Sequence, residues 1–408
     1  MVYEGNNKMI YKLAESTWSA EEKNAAIDVI NSEKCTMGDI VKKFEKSFCD
    51  MIGCKYAVMT NSGSSSNLIM MACLKFIKSK YKLNDWDEVI VPAVSWATTY
   101  YPIYQNRLTM KFVDVNLDTL NIDEDIIEKA ISSKTRAILA VNILGNPCDY
   151  SKLKNICEKY NLILLEDNCE SLYAKYDDRF CGTHGLMGTY STFFSHHICT
   201  VEGGITVTDD EEVYHNLLSL RAHGWTRDLP KINHVKNKSG QLIDDLFDFV
   251  IPGYNVRPNE IFAAIGIQQL KKLPMFIEYR KENYNKFMQY VNLLNQMTGN
   301  AIRVQKMTPK SIGSYFAFTM IFEGMLRGKK REIMNFLYNN GIECRPIVAG
   351  NFTKNPVLTN MDCEIFGDMK NAQIIDDDGV FIGNHARDMS DNLKLFFDVM
   401  VKYIDGVR

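Results

Sequence analysis

Four short clusters carry the residue types that chemistry needs. Asn61-Ser62-Gly63-Ser64-Ser65-Ser66-Asn67 stands between an apolar, β-rich run and a helical pattern. Small side chains let the backbone close on an anion, and a helix start offers free N–H groups and the positive end of its dipole. The cluster therefore suits a phosphate cradle, although Ser and Asn also serve simply as helix caps. In Leu164-Leu165-Glu166-Asp167-Asn168-Cys169-Glu170-Ser171, Asp167 and Glu170 follow an apolar strand, at the end where α/β sheets place ligands. A carboxylate there can pair with a protonated ring nitrogen and keep the ring electron-poor; capping a helix is the ordinary alternative. The stretch from Ser191 to Gly204 holds the pair His196-His197. An imidazole offers a base near neutral pH or a metal ligand, but neighbours in sequence usually point apart, and a histidine pair is more often structural. In Val91-Pro92-Ala93-Val94-Ser95-Trp96-Ala97-Thr98, Trp96 comes just past a strand end, where its ring can stack on a planar ligand or merely fill space.

These clusters sit at the seams of a regular alternation. Residues 56–59, 88–92, 111–115, 137–143 and 162–166 read as short strands and 65–78 as a helix, with helical stretches between most of them. Such alternation predicts βαβ units and a mainly parallel sheet. Residues 204–210 read as a further strand leading into a helix. After about residue 250 the character changes. The turn-rich 251–258 precedes a long amphipathic stretch from Asn259 to about Asn295, and then strands such as 314–322 mix with helices such as 330–339. A chain of 408 residues is expected to form two domains. They are a large α/β domain over 1–255 and a smaller α+β domain over 256–408, with the first 35 or so residues packing on the small one.

The composition, 46% hydrophobic and 24% charged with a formal net charge of −3, is that of a soluble globular chain. There is no basic block to wrap a nucleic acid and no run of about 18 apolar residues to span a membrane. The first residues lack the basic start and apolar stretch of a signal peptide. The 11 cysteines, an odd number without a CxxC spacing, give neither a disulfide framework nor a zinc motif. The expectation is a reduced, cytoplasmic protein with buried thiols and no bound metal.

Taken in order, these pieces resemble the DegT-type sugar aminotransferases, vitamin B6 enzymes of aspartate-aminotransferase fold. The likeness starts near Thr36-Met37-Gly38 and Phe44-Glu45. It runs through 62–67, 91–96, FVDVNLDTLNID (112–123), LGNP (144–147) and EDNCES (166–171), and ends with EGG (202–204), PGYNVRP (252–258) and AAIGIQQLKKL (263–273). The shared order over nearly the whole chain is specific where any single motif is not. The resemblance implies fold type I, with a mainly parallel sheet in the large domain and a smaller α+β C-terminal domain. It implies pyridoxal or pyridoxamine 5′-phosphate as cofactor. Gly63, Ser64, Ser65 and Ser191 would hold the phosphate, Trp96 would stack on the ring, and Asp167 would pair with the ring nitrogen, with Glu170 nearby. Asn255 would reach the phosphate of a neighbouring subunit, so a homodimer with shared active sites is implied.

One position departs from the aminotransferases. Their cofactor lysine lies six residues before the Glu of EGG; here that residue is His196, and no lysine occurs from 176 to 230. Within the family, histidine at this place marks the 3-dehydratases. HHICTVEGG, RAHGWTRDLP (221–230) and PGYNVRP resemble the branch that acts on GDP-linked 4-keto-6-deoxy sugars in deoxysugar synthesis for surface polysaccharide. Relatives that use CDP-sugars hold an iron–sulfur cluster through closely spaced cysteines after the site. Residues 200–343 contain no cysteine, so no such cluster is expected.

The swap makes chemical sense. A primary amine captures the cofactor's aldehyde covalently; an imidazole does not. With an ordinary pKa of about 6.5, an imidazole can still take a proton at pH 7 and return it to a departing hydroxide. His196 is thus the expected acid–base residue, and L-glutamate the implied donor that restores the amine form of the cofactor. His223, Arg227 and Arg345 are weaker candidates for contacting the sugar, the nucleotide or a carboxylate, and His197 is expected to be structural. Two alternatives stay open: a nucleotide-sugar aminotransferase that recruits a distant lysine, and a catalytically silent member of the family.

Overall fold

Strands buried on both faces read as almost unbroken apolar runs, and three of them set the centre of the large sheet. Glu88–Pro92, Ile163–Asp167 and Met187–Ser191 are buried at every position in the computed structural model, which describes residues 9–407. The sheet has eight strands. In spatial order they are Tyr56–Thr60, Gly204–Thr208, Met187–Ser191, Ile163–Asp167, Thr135–Val141, Glu88–Pro92, Thr109–Val113 and Cys363–Phe366. Gly204–Thr208 runs antiparallel to both of its neighbours, and the other pairings are parallel.

Two of these strands escape a sequence reading. Met187–Ser191, MGTYS, has little intrinsic strand preference, and Cys363–Phe366 is a four-residue edge strand far along the chain. Pairing with already formed neighbours decides both.

A parallel sheet gathers the C-terminal ends of its strands along one edge. Thr60, Pro92, Val141, Asp167 and Ser191 therefore end side by side. Short connections then bring Ser62 and Gly63, Trp96, Glu170 and the 192–203 loop to that same edge. All four chemical clusters converge for this one topological reason.

A second, four-stranded antiparallel sheet orders Ile302–Arg303, Ala317–Phe322, Gly379–Gly383 and Cys344–Pro346. The two sheets share the 39-residue helix Glu260–Thr298. Asn259 caps its start by accepting from the Phe262 N–H at 2.9 Å, and Gly299, left-handed at φ 69°, ends it. The first half of the helix buries Ala263, Leu270 and Leu273 with Phe44 and Phe48. The second half buries Phe287, Val291 and Leu294 with Phe318 and Phe396. The boundary expected at 255/256 thus falls just ahead of a helix that serves two cores. Tyr11 joins the second core, and its hydroxyl donates to the Gly383 carbonyl at 2.6 Å. Among the described residues, no helix is long and apolar enough to cross a membrane.

The first strand is fixed from behind by a buried ion pair. Glu45 on helix Asp39–Ile52 and Arg221 at the end of helix Glu211–Arg221 meet at 2.6 Å. Both also bind Met59: its N–H donates to Glu45 at 2.8 Å and its carbonyl accepts from Arg221 at 2.9 Å. Removing one partner of such a pair leaves the other charge buried and bare. Arg221→Met should therefore cost about 3–5 kcal/mol of unfolding free energy, read by urea denaturation; a loss under about 1 kcal/mol would show that the pair does not hold the strand.

Candidate active site

A cavity of about 350 Å³ lies where the C-terminal edge of the large sheet faces the second sheet and the N-terminal segment. Asp167 forms part of its floor. The carboxylate is buried and accepts from Asn67 Nδ2 and Thr99 Oγ1, both at 2.8 Å, and from the Cys169 N–H at 3.1 Å. Thr189 in turn donates to Asn67 at 2.6 Å, and Ser95 lies 2.9 Å from Thr99. No Lys or Arg pairs with Asp167 among the described residues. Glu166, one residue earlier, faces the opposite side of the strand. It accepts the Gly182 and Gly185 N–H groups at 2.5 and 2.6 Å, so its role is structural.

The Ser62–Asn67 cluster opens helix Gly63–Phe76. Ser62 is the cap and accepts from the Ser65 N–H at 3.1 Å. Gly63 needs the absence of a side chain, because a Cβ there would stand 2.6 Å from the Ser191 Cβ. Gly63, Ser64 and Ser191 line the cavity, and Ser64 donates to Thr98 at 2.7 Å. Ser65 does not line it; its N–H donates to the Ser62 hydroxyl, and its own hydroxyl accepts from Ser62 at 3.0 Å. Trp96 caps helix Ala97–Gln105 and borders the cavity with its side chain 57% exposed, which leaves an indole face open to a ligand.

The two histidines do point apart. His197 is fully buried and its Nε2 lies 3.0 Å from the Ser314 carbonyl. His196 lines the cavity, its ring edge-on to Phe316 at 5.3 Å and to Phe193 at 5.9 Å. The loop that carries it is clasped at its base: Thr192 and Thr200 hydroxyls meet at 2.5 Å, and Thr192 N–H donates to Gly203 at 2.9 Å. Gln269, on the long helix, accepts the Cys199 N–H at 3.1 Å and ties the loop down. Burial, aided by the charge of Arg280, lowers the His196 pKa to about 4, so the ring is neutral at pH 7. Burial pushes the carboxyl of Glu170 up to about 7, and this residue accepts the Leu144 N–H at 3.0 Å.

Several lining residues were invisible in the sequence reading. Thr99 binds Asp167 from 68 positions away. Arg280 lines the cavity at 4% exposure, and its Nη1 donates to the carbonyls of Phe316 and Asn384 at 2.9 and 2.5 Å. One signal was available for it: Leu273, Phe276, Ile277, Arg280 and Phe287 share the apolar stripe of one helix, and a lone cation there is out of place. Leu13, Glu15 and Thr17 form another wall, held by the two-pronged Glu15–Arg387 pair at 2.8 and 3.0 Å.

Arg345 lines the cavity from the second sheet. Asn255, His223 and Arg227 do not. They gather elsewhere on the chain around Trp225: Arg227 stacks 3.9 Å from its ring, His223 meets it edge-on at 5.0 Å, and Asn255 accepts from Arg257, which also covers that ring.

Known proteins are similar to this chain in sequence and in fold. The sequence profile of the DegT/DnrJ/EryC1/StrS aminotransferase family matches residues 17–393. The GDP-4-keto-6-deoxy-D-mannose 3-dehydratase of Yersinia pseudotuberculosis is 49% identical over 394 residues, covering 96% of this chain and 98% of that protein. The crystal structure of the Escherichia coli GDP-4-keto-6-deoxy-D-mannose 3-dehydratase with bound hydrated PLP superposes with a TM-score of 0.92 at 46% identity, over 97% of this chain and 100% of that one. A structure of GDP-4-keto-6-deoxymannose 3-dehydratase with a trapped PLP–glutamate geminal diamine gives 0.91 at 46% identity, over 96% and 100%. The match in sequence and in structure is nearly end to end, and the chain belongs to the DegT/DnrJ/EryC1/StrS aminotransferase family.

Proposed function

We propose that this chain is a vitamin B6-dependent 3-dehydratase. It removes the C3 hydroxyl of a GDP-linked 4-keto-6-deoxy sugar and uses glutamate to restore its cofactor, in deoxysugar synthesis for surface polysaccharide. One observation carries the reading: an imidazole faces the cavity where aminotransferases need a primary amine, and no lysine lines the cavity among the described residues. The same absence of lysine speaks against a nucleotide-sugar aminotransferase. The intact constellation of Asp167, Trp96, Ser191 and His196 speaks against a silent member.

The residues fit the cofactor. Asp167 is a buried carboxylate with three donors and no cation, the complement of a protonated pyridine nitrogen. The bare Gly63, Ser64 and Ser191 offer a phosphate seat at a helix start, and the open face of Trp96 suits a planar ring. Bound there, pyridoxamine 5′-phosphate supplies the amine that condenses with the sugar's C4 ketone and the electron sink that lets the C3 hydroxyl depart.

The chain supplies the proton transfers and the positioning. Neutral His196 would take, at Nε2 or Nδ1, the proton given up by the methylene carbon of the bound cofactor, and its ring plane is fixed by the edges of Phe316 and Phe193. It then returns the proton to the hydroxide leaving C3. His197, anchored on Ser314, braces the loop. The N-terminal segment and the second sheet close the cavity against water.

In this reading residues 1–255 carry the cofactor contacts, while 256–408 with the N-terminal segment form the opposing wall. The protein works as a homodimer, in which Asn255, His223 and Arg227 of each subunit serve the partner's cavity; their clustering away from their own cavity, with Asn255 exposed, supports this. The 11 unpaired cysteines suit the cytoplasm.

Hydrolysis at C4 after the hydroxyl has left frees the nitrogen brought by the cofactor's amine as ammonia, so replacing His196 by Asn should abolish ammonia formation in the presence of the 4-keto sugar, leaving cofactor absorbance on the protein intact; turnover near the normal rate would refute the assignment. His196 works as a base in its neutral form, and its pKa is lowered from 6.5 to about 4. The kcat/KM for the sugar should therefore stay level from about pH 8 to about pH 6, with its acid limb below that range; a limb centred at 6.5 or above contradicts it. Mixing inactive His196→Asn with an inactive Asn255→Asp variant should restore up to about a quarter of normal activity, because half of the dimers then contain one complete site. No recovery after subunit exchange would place Asn255 in its own subunit's site.

A further inference from the structure

Arg280 is a cation without an anion. It is 4% exposed, and the charge of its guanidinium is met only by two backbone carbonyls, those of Phe316 and Asn384. Its Nε has no partner, and no carboxylate forms an ion pair with it among the described residues. Asn384 locks it further by donating from its side chain to the Arg280 carbonyl at 2.9 Å. Burying an uncompensated charge is costly, and this one is held rigidly on the wall of the active-site cavity. The arrangement is that of a preformed anion site.

The neighbours decide which anion. Phe316 accepts from Arg280 through its carbonyl and meets His196 through its ring, so the cation stands one residue away from the proposed base. Its charge is felt there, as the second cause of the lowered His196 proton affinity. The cofactor's phosphate belongs to the opposite seat at Gly63, Ser64 and Ser191. The diphosphate of a nucleotide sugar is kept from the reacting carbon by the width of the sugar ring. The α-carboxylate of an amino acid, in contrast, is bonded to the very carbon whose nitrogen must reach the cofactor.

On the reading of the site given above, we propose that Arg280 binds a carboxylate of the amino donor. It gives one cavity a second specificity: the sugar is held through its nucleotide, the donor through this buried guanidinium. Arg280 also distinguishes an amino acid from an amine without a carboxylate, which would leave the cation bare.

The test uses glutarate, a dicarboxylate that cannot react, and GDP as separate probes, titrated calorimetrically into the enzyme loaded with pyridoxal 5′-phosphate. Arg280→Gln should weaken glutarate by roughly 10- to 100-fold, the scale of one lost charge-assisted contact, and shift GDP by less than about 2-fold. Arg280→Lys keeps the charge with fewer donors and should weaken glutarate by a smaller factor; if the Gln variant does not fold, the Lys variant decides alone. Unchanged glutarate affinity, a loss falling on GDP instead, or no glutarate binding by the unaltered enzyme each overturns the proposal. Glutarate binding requires no dehydration, so failure of the dehydratase reading appears separately, in the ammonia assay.

Discussion

Burying a charge without a counter-ion works against folding, and this cavity holds two such charges. Asp167 is wrapped by neutral donors and meets no cation. Arg280 is wrapped by neutral acceptors and meets no anion. The two do not neutralise each other, because each is fixed by its own network on a separate wall. Asn67, Thr99 and the Cys169 N–H aim the carboxylate, and Phe316 and Asn384 aim the guanidinium. Much of the surrounding architecture exists to hold these groups at a distance from each other and from water.

The sheet provides the frame for the negative half. Its parallel strands end on one edge, so residues more than a hundred positions apart become neighbours there without any long loop. Backbone closeness at that edge is tight enough that Gly63 tolerates no side chain beside Ser191. The second sheet and the long helix Glu260–Thr298 provide the positive half. Because that helix threads both cores, movement of one relative to the other is resisted along its whole length, and Arg280 keeps its place opposite His196.

The histidine fits this electrostatic frame. A lysine at the same place would bring a second cation close to Arg280 and a nucleophilic amine to the cofactor. An imidazole there is instead held neutral, first by burial and then by the neighbouring guanidinium, which keeps it a proton acceptor. His197, one residue on, is fully buried and turned to Ser314. The difference between base and brace is a matter of which side of the loop each ring faces.

Six of the eight strands of the large sheet were legible in the sequence, as were the helices Gly63–Phe76, Glu260–Thr298 and Lys330–Asn339, since apolar periodicity and helix caps are local properties. So was the ordered set of motifs, and with it the imidazole at the lysine position, because counting six residues back from Glu202 depends on chain order alone. What packing decided lay beyond any local pattern. Asn67 and Thr99 reach Asp167 across 100 and 68 positions, and the edge strand Cys363–Phe366 exists only because Thr109–Val113 is there to pair with it. The stranded charge of Arg280 was likewise fixed in three dimensions. The sequence determines which groups are present and in what order; only the folded chain determines which of them are left facing an empty space without a partner, since being unpaired depends on every neighbour at once.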